Sequence, residues 1–312
     1  MIEDALRGAR AVVRRNVPLS GRTTLRIGGP ARYFVEVHDV NALAALLEAS
    51  RAEGLEVLPL GKGSNLLVED SGFAGVVFAL AGDFLATRID PPDVFAGGGV
   101  SLMSLAVETQ KAGLSGLENL SGIPSSLGGA VRINAGSYGS EIFEVLAAVH
   151  LVSGRGVRRT VPASEIPHGY RWTALADSDD VVAGAALHLV PRAPEEIAAR
   201  MDDVAARRKG ALPKQPNAGS IFKNPPGLFA GKLLEECGLK GRRIGGAEIS
   251  PVHANVIANI GGATAADVAA LMNEMRNAVR ERFGIELVPE IQVLGSKRGR
   301  RDPSVDTPSD GG

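Results

Sequence analysis

Between Gly113 and Gly139 the chain reads GLSGLENLSGIPSSLGGAVRINAGSYG, with glycine at 113, 116, 122, 128, 129, 136 and 139. Glycine at this density destabilises helix and strand alike, so a succession of tight turns is expected. Pro124 fixes one φ angle between Ile123 and Ser125, which favours a rigid path over a floppy linker. Gly128-Gly129-Ala130 leaves no side chain to hold a ligand off the backbone, and concave runs of backbone N–H groups accept phosphate oxygens. An ordinary glycine-rich surface loop is the competing reading.

A second turn of the same kind lies upstream. Gly61-Lys62-Gly63-Ser64-Asn65 follows the expected strand Leu55–Leu60 directly. It is not a dinucleotide fingerprint, because no third glycine opens a helix, and it carries no phosphate-loop lysine motif. Taken alone it suits a phosphate- or ribityl-binding turn and a plain strand-to-strand turn equally. Paired with Gly113–Gly139, it suggests two loops closing on one extended phosphorylated ligand.

The chain has 312 residues, 45% of them hydrophobic, enough for one large or two medium domains with proper cores. Lys and Arg number 34 against 35 Asp and Glu, with no basic block of the kind that binds nucleic acid. Cys237 is the one cysteine, which rules out an intrachain disulfide and fits a reducing compartment. No apolar run approaches the roughly 20 residues that cross a bilayer. A cytoplasmic, monomeric protein is expected. The five histidines show no metal-ligand spacing, so no metal is expected.

In chain order, residues 1–15 predict a short amphipathic helix, and Arg32–Val37 a strand. A helix over Ala42–Ala52 is capped by Asp39 or Asn41 and ended by Gly54. Strands follow at Val76–Leu80 and Val94–Ala96, then a helix from Ser101 to about Lys111. From Glu141 to Val190 strands are expected at Val145–Val152, Val157–Val161 and Val181–Val190. Pro191–Pro194 marks a boundary, and Glu195–Lys209 is a helix whose charges follow its dipole. The segment KQPNAGSIFKNPPG then breaks every periodicity. It concentrates Lys214, Asn217, Ser220, Lys223 and Asn224 between prolines, as a polar cluster that faces something or as a plain ordered loop. A helix over Leu228–Cys237 precedes GRRIGGAEISPVHANVIANIGG. Thr264 and Asp267 open the helix Ala265–Phe283, with Val268, Leu271, Met272, Met275 and Val279 as its apolar stripe. IELVPEIQVLG reads as a closing strand, and residues 296–312 as a disordered tail.

Seven stretches, in order, resemble the UDP-N-acetylenolpyruvoylglucosamine reductases: TTLRIGGPARYFVEV, LPLGKGSNLLV, GLSGLENLSGIPSSLGGAVRINAGSYGSE, GYR, NAGSIFKNP, GLKGRRIGGAEISPVHANVIAN and GIELVPEIQVLG. They run from Thr23 to Gly295. The first three alone would indicate the wider superfamily of FAD enzymes of the vanillyl-alcohol-oxidase kind. GSIFKNP and GGAEISPVHANVIAN are specific to the reductase. The resemblance implies an α+β chain: a non-Rossmann FAD-binding domain over 16–193, after the N-terminal helix, and a smaller α+β substrate domain over 194–295. It also implies FAD as bound cofactor, NADPH as hydride donor and a UDP-sugar enolpyruvyl ether as substrate.

Residue by residue, the resemblance implies Ser220 as proton donor to the α-carbon and Arg171 as stabiliser of the substrate carboxylate. Glu290 is expected beside Arg171, protonated or coupled to water, because a second ionised carboxylate there would repel the first. Tyr170, Asn224, Lys214 and Lys223 are the expected substrate contacts. The expected cofactor contacts are Gly61, Lys62, Gly63, Ser64 and Asn65 in the first turn. In the second they are Gly122, Ile123, Pro124, Ser125, Ser126, Gly128, Gly129, Ala130, Asn134 and Gly136. Ser125-Ser126 stands where the family usually has glycine and a small residue, and Thr173 and Leu175 replace a usual serine and phenylalanine. The short Ser220–Glu290 segment resembles the compact second type, which lacks a tyrosine-bearing loop over the substrate. The rivals are a flavin oxidase of the same superfamily and a non-enzymatic flavin or nucleotide binder.

Overall fold

The structure, a computed structural model, describes residues 1–295. Its first layer is a four-stranded sheet in the order Ala11–Pro18, Pro30–Val37, Phe73–Leu80, Val57–Pro59. The last three run parallel, and parallel neighbours need a crossover. The helix Val40–Ala52 supplies it. Asp39 accepts the Ala42 N–H at 2.8 Å to start that helix, and Leu43, Leu46 and Leu47 bury its stripe against the sheet. Gly54, at φ +64°, turns the chain out of it.

A second, antiparallel sheet follows, in the order Arg158–Pro162, Leu146–Val152, Val181–His188, Asp93–Gly97, Thr87–Asp90. Its apolar face packs with the helices Leu102–Lys111 and Leu127–Arg132 into the largest core cluster. The third sheet, Asn217–Ser220, Val256–Asn259, Ala247–Ile249 and Arg243–Ile244, is covered by the helices Ala230–Glu236 and Ala265–Phe283. Among the described residues no helix is long and apolar enough to cross a membrane.

The third unit is stitched into the first at several points. Leu25, Ile27 and Leu67 are buried in its core. Strand Gln292–Leu294 pairs in parallel with Leu66–Val68, Gln292 opposite Leu66. Asp70 accepts the Ala265 and Ala266 N–H groups at 2.9 and 3.2 Å, satisfying two donors at the start of the helix Ala265–Phe283. A carboxylate there is also favoured by the helix dipole. Asp70→Ala is therefore expected to lower the unfolding free energy by about 1 kcal/mol. Urea unfolding checks this, and an unchanged midpoint would remove Asp70 from the stitching.

Three sequence expectations need correction. The helix over 1–15 is limited to Ile2–Ala5, and Ala11–Pro18 is a strand paired antiparallel with Pro30–Val37. Val12, Val13 and Val17 are β-branched and favour the pleated edge once a partner strand exists, overriding the helical spacing. The closing strand is confined to Gln292–Leu294. The second glycine-rich stretch is not turns alone, since Leu127–Arg132 is helical. The expected tail lies outside the described residues.

Candidate active site

Both glycine turns open onto one cavity of about 810 Å³. Gly61, Lys62, Gly63, Ser64 and Asn65 all line it, as do Ile123, Pro124, Ser125, Ser126, Gly129 and Gly136. The lack of side chains lets the first turn pack against the second at Ser126 and against the Arg22 backbone. A Cβ on Gly61 would lie 2.4 Å from Ser126 Oγ, and one on Gly63 2.2 Å from the Arg22 carbonyl. Ser126 caps the short helix, its Oγ accepting the Gly129 N–H. Gly128 lies away from the cavity and lets that helix settle on the second sheet, where a Cβ would be 3.0 Å from the Gly98 and Val182 carbonyls. Ala130 is fully buried on the core side. Gly122 is outside the lining, packed beneath the Arg208 side chain.

The parallel pairing of Leu66–Val68 with Gln292–Leu294 explains why Glu290 reaches this cavity. The first turn immediately precedes one strand and Glu290 lies two residues before the other, so both sit at the same end. Asn65 fixes the register from its side: its amide donates to the Glu290 carbonyl at 3.0 Å, and its own carbonyl accepts the Gln292 N–H.

Arg171 arrives from a hairpin in which His168 pairs with Thr173 and Gly169 with Trp172. Tyr170 and Arg171 form its two-residue turn. Arg171 adopts φ +54°, an uncommon conformation for a residue with a side chain, of the sort that clusters at functional sites. Its Nε donates to Glu290 Oε1 at 3.0 Å and its Nη2 to the Gly136 carbonyl at 2.6 Å. Burial pushes the Glu290 carboxyl above the usual carboxylate range, while Arg171 and Lys223 oppose that rise. Ionised Glu290 is thus favoured by its cations and disfavoured by lost solvent, and the second effect wins.

Ser220 closes the strand Asn217–Ser220, whose register slips against Val256–Asn259. Gly219, at φ +73°, makes the bulge, and Asn217 Oδ1 steadies it by accepting the Gly219 N–H. Bulges re-aim side chains, and this one brings Ser220 to the cavity wall. The hydroxyl has no hydrogen-bond partner among the described residues, which leaves it free for a ligand.

The expected substrate contacts fare differently. Tyr170 is outside the lining, half exposed, with its ring 4.9 Å from the Arg171 guanidinium carbon. Lys223 lies outside the lining yet near enough to Glu290 to act on its charge. Lys214 and Asn224 are exposed and outside it, and Asn224 Oδ1 accepts the Ala230 N–H. Asn134, an expected cofactor contact, is fully buried instead.

Arg132, Arg208 and His253 line the cavity without having been singled out by sequence. Arg208 had a sufficient explanation in the helix dipole, and His253 lay in a reductase-like stretch with no metal spacing around it. His253 Nδ1 accepts the Asn255 N–H, and burial lowers its pKa, so the neutral ring is favoured. A second hollow of about 510 Å³ shares Pro59 and Arg132 with the first.

A cavity floored by glycine turns, beside a mixed and an antiparallel sheet, where Arg171 from a hairpin of the first lobe meets Glu290 from the third unit, defines a flavin-site architecture of two lobes. In agreement, the family described as FAD binding domain matches residues 31–161, and that described as UDP-N-acetylenolpyruvoylglucosamine reductase, C-terminal domain, matches 212–294. The UDP-N-acetylenolpyruvoylglucosamine reductase 2 of Symbiobacterium thermophilum is 42% identical over 91% of this chain and 92% of its own. The corresponding reductase of Bacillus subtilis is 38% identical over 91% and 94%. The crystal structure of the reductase from Thermus caldophilus superposes with a TM-score of 0.80 at 40% identity, covering 91% of this chain and 99% of that one. This chain belongs to the UDP-N-acetylenolpyruvoylglucosamine reductase family.

Proposed function

We propose that the protein reduces the enolpyruvyl ether of UDP-N-acetylglucosamine to UDP-N-acetylmuramate, with FAD as bound cofactor and NADPH as electron donor. The observation that carries this reading is convergence: Arg171, Ser220 and Glu290, from three separate segments, line the same cavity as both glycine turns. Those turns fit a bound dinucleotide, because they bring side-chain-poor backbone to one cavity wall, packed so closely that a Cβ at Gly61 would strike Ser126. The first turn and Ile123–Ser126 would hold the flavin half, and the adjoining hollow past Arg132 the adenosine half. Bound there, FAD supplies the hydride chemistry, accepting hydride from NADPH and passing it to the enolpyruvyl double bond.

The remaining work falls to the protein. Hydride addition at the β-carbon leaves negative charge on the α-carbon, conjugated with the carboxylate. Arg171 holds that carboxylate with a permanently charged planar fork. Glu290, in its protonated form, adds a hydrogen bond to the same group where an ionised carboxylate would repel it. Ser220 delivers the proton to the α-carbon without placing a fixed negative charge nearby. Lys223 supports the charge balance from outside the wall. In this reading residues 16–193 form the FAD lobe and 194–295 the substrate lobe. One chain supplies the whole set, so it acts as a monomer, in the cytoplasm where nucleotide sugars and NADPH are kept.

Anaerobic stopped-flow mixing tests the reading. NADPH should bleach the flavin absorbance, and the enolpyruvyl sugar should restore it without oxygen. Recolouring only by oxygen would make the protein an oxidase instead. The cofactor placement has its own test. A Cβ on Gly129 would already sit 3.0 and 3.3 Å from Ser125 and Ser126 Oγ, so a branched side chain there must project into the cradle. Gly129→Val is expected to purify folded and colourless, and stoichiometric flavin in that variant would contradict the placement.

A further inference from the structure

Arg171 has a second carboxylate neighbour. Its Nη1 lies 4.0 Å from Glu141 Oε1, while its Nη2 donates to the Gly136 carbonyl. Gly136 and Glu141 are directly opposed in the two-rung antiparallel ladder of Gly136–Ser137 with Ser140–Glu141. A Cβ on Gly136 would fall 2.8 Å from Arg171 Nη1 and 3.0 Å from Glu141 Cγ. The glycine is what allows guanidinium and carboxylate to converge over one backbone position.

Asn134 holds this arrangement from behind. It is fully buried and adopts φ +48°, two residues past the helix Leu127–Arg132. Its Nδ2 donates to Glu141 Oε2 at 2.6 Å and to the Gly169 carbonyl at 3.0 Å. One amide therefore fixes both the carboxylate and the hairpin stem that ends in Arg171.

We propose that Glu141, oriented by Asn134, is a positioning residue for Arg171, setting the rotation of the guanidinium and sharing its charge with Glu290. The sharing matters because Glu290 is required in its protonated form. Glu290 faces Arg171 from the hairpin and Lys223 from the adjoining segment, and the cavity wall adds Lys62, Arg132, Arg208 and His253. Were Arg171 to serve Glu290 alone, it would oppose protonation of that carboxyl more strongly and lessen the reactive form. Glu141 draws part of that positive charge away.

The inference rests on the reductase reading and is tested by Glu141→Gln, which keeps the shape and the bond from Asn134 but removes the charge. Flavin content, melting temperature and reduction by NADPH should match the parent. Reoxidation by the enolpyruvyl sugar should slow roughly 10- to 100-fold, the scale set by loss of alignment at a reacting group. The high-pH limb of the reoxidation profile should move down by about one pH unit, because Glu290 then loses a like charge and keeps the whole of Arg171. Calorimetric binding of UDP-N-acetylmuramate, which involves no turnover, should weaken in parallel. A variant with parental reoxidation, pH limb and product affinity would overturn the proposal. So would a lower melting temperature with both half-reactions slowed alike, since Glu141 would then be a structural cap. A parent protein that NADPH bleaches but the sugar fails to recolour would strike the reductase reading instead, while product binding still reports on Glu141.

Discussion

Arg171→Gln is expected to slow reoxidation of the reduced enzyme by the enolpyruvyl sugar by roughly 10²–10³-fold, the usual cost of losing one donor aimed at developing charge. The loss comes from the substrate carboxylate, which no longer has its planar fork. Glu290 loses the cation 3.0 Å away that partly offsets its burial, which favours the protonated form it already uses and does not add to the slowing. Arg171→Lys should recover little, because an ammonium cannot reach Glu290 through a nitrogen at Nε while also meeting the Gly136 carbonyl. The glutamine variant should also show a change in stability with pH. Without Arg171 the Glu290 pKa rises further above its unfolded value, so the folded state holds a proton that the unfolded chain has released. Stability should then fall as pH rises from the ordinary carboxylate range through the folded pKa, more steeply than in the parent. Parental reoxidation in Arg171→Gln would sink the assignment, and so would full activity in the lysine variant.

Much of the fold was legible where the deciding interactions are local. The helix Ala265–Phe283 has the expected bounds because Thr264 and Asp267 bond each other's backbone within one turn, and Gly284 supplies the left-handed exit at φ +69°. Asp39 and Gly54 bracket the earlier helix in the same way. The N-terminal strand was illegible because its partner, Pro30–Val37, begins 12 residues after Pro18 and nothing within residues 11–18 encodes that pairing. The helix at Leu127–Arg132 was missed for the opposite reason. Two glycines lower its local propensity, and what restores it is the close seat that Gly128 finds on the second sheet.

The site divides along a similar line. Glycines announce themselves, since a missing side chain is a statement about space that needs no partner to be read. Arg171, Glu290 and Ser220 were reached through their resemblance to a family, and their convergence depends on a parallel strand pair, a strained turn and a bulge that no periodicity reveals. Asn224 and Lys214 show the limit of reading a polar cluster: its composition gives no direction, and Asn224 spends its side-chain carbonyl on Ala230. Asn134 sits inside the glycine-rich stretch yet turns into the core, where its three hydrogen bonds organise the surroundings of Arg171.

Ser220→Ala should separate the two halves of the reaction. The hydroxyl stands on the cavity wall with no protein partner among the described residues, so its removal leaves no buried group unsatisfied and the bulge intact. Gly219 and Asn217 still define the local backbone. Flavin binding and reduction by NADPH should therefore proceed at nearly the parental rate. Reoxidation by the enolpyruvyl sugar requires a proton at the α-carbon, and loss of a positioned acid is expected to slow it by roughly 10²–10⁴-fold. The loss can exceed that range, because an enolate that finds no proton returns its hydride and the forward step is undone. A solvent isotope effect on reoxidation in the parent should be present, and in the alanine variant water becomes the slow donor. A purely structural serine would instead lower the melting temperature and slow both halves together. An alanine variant that is bleached and recoloured at parental rates would remove Ser220 from the catalytic set.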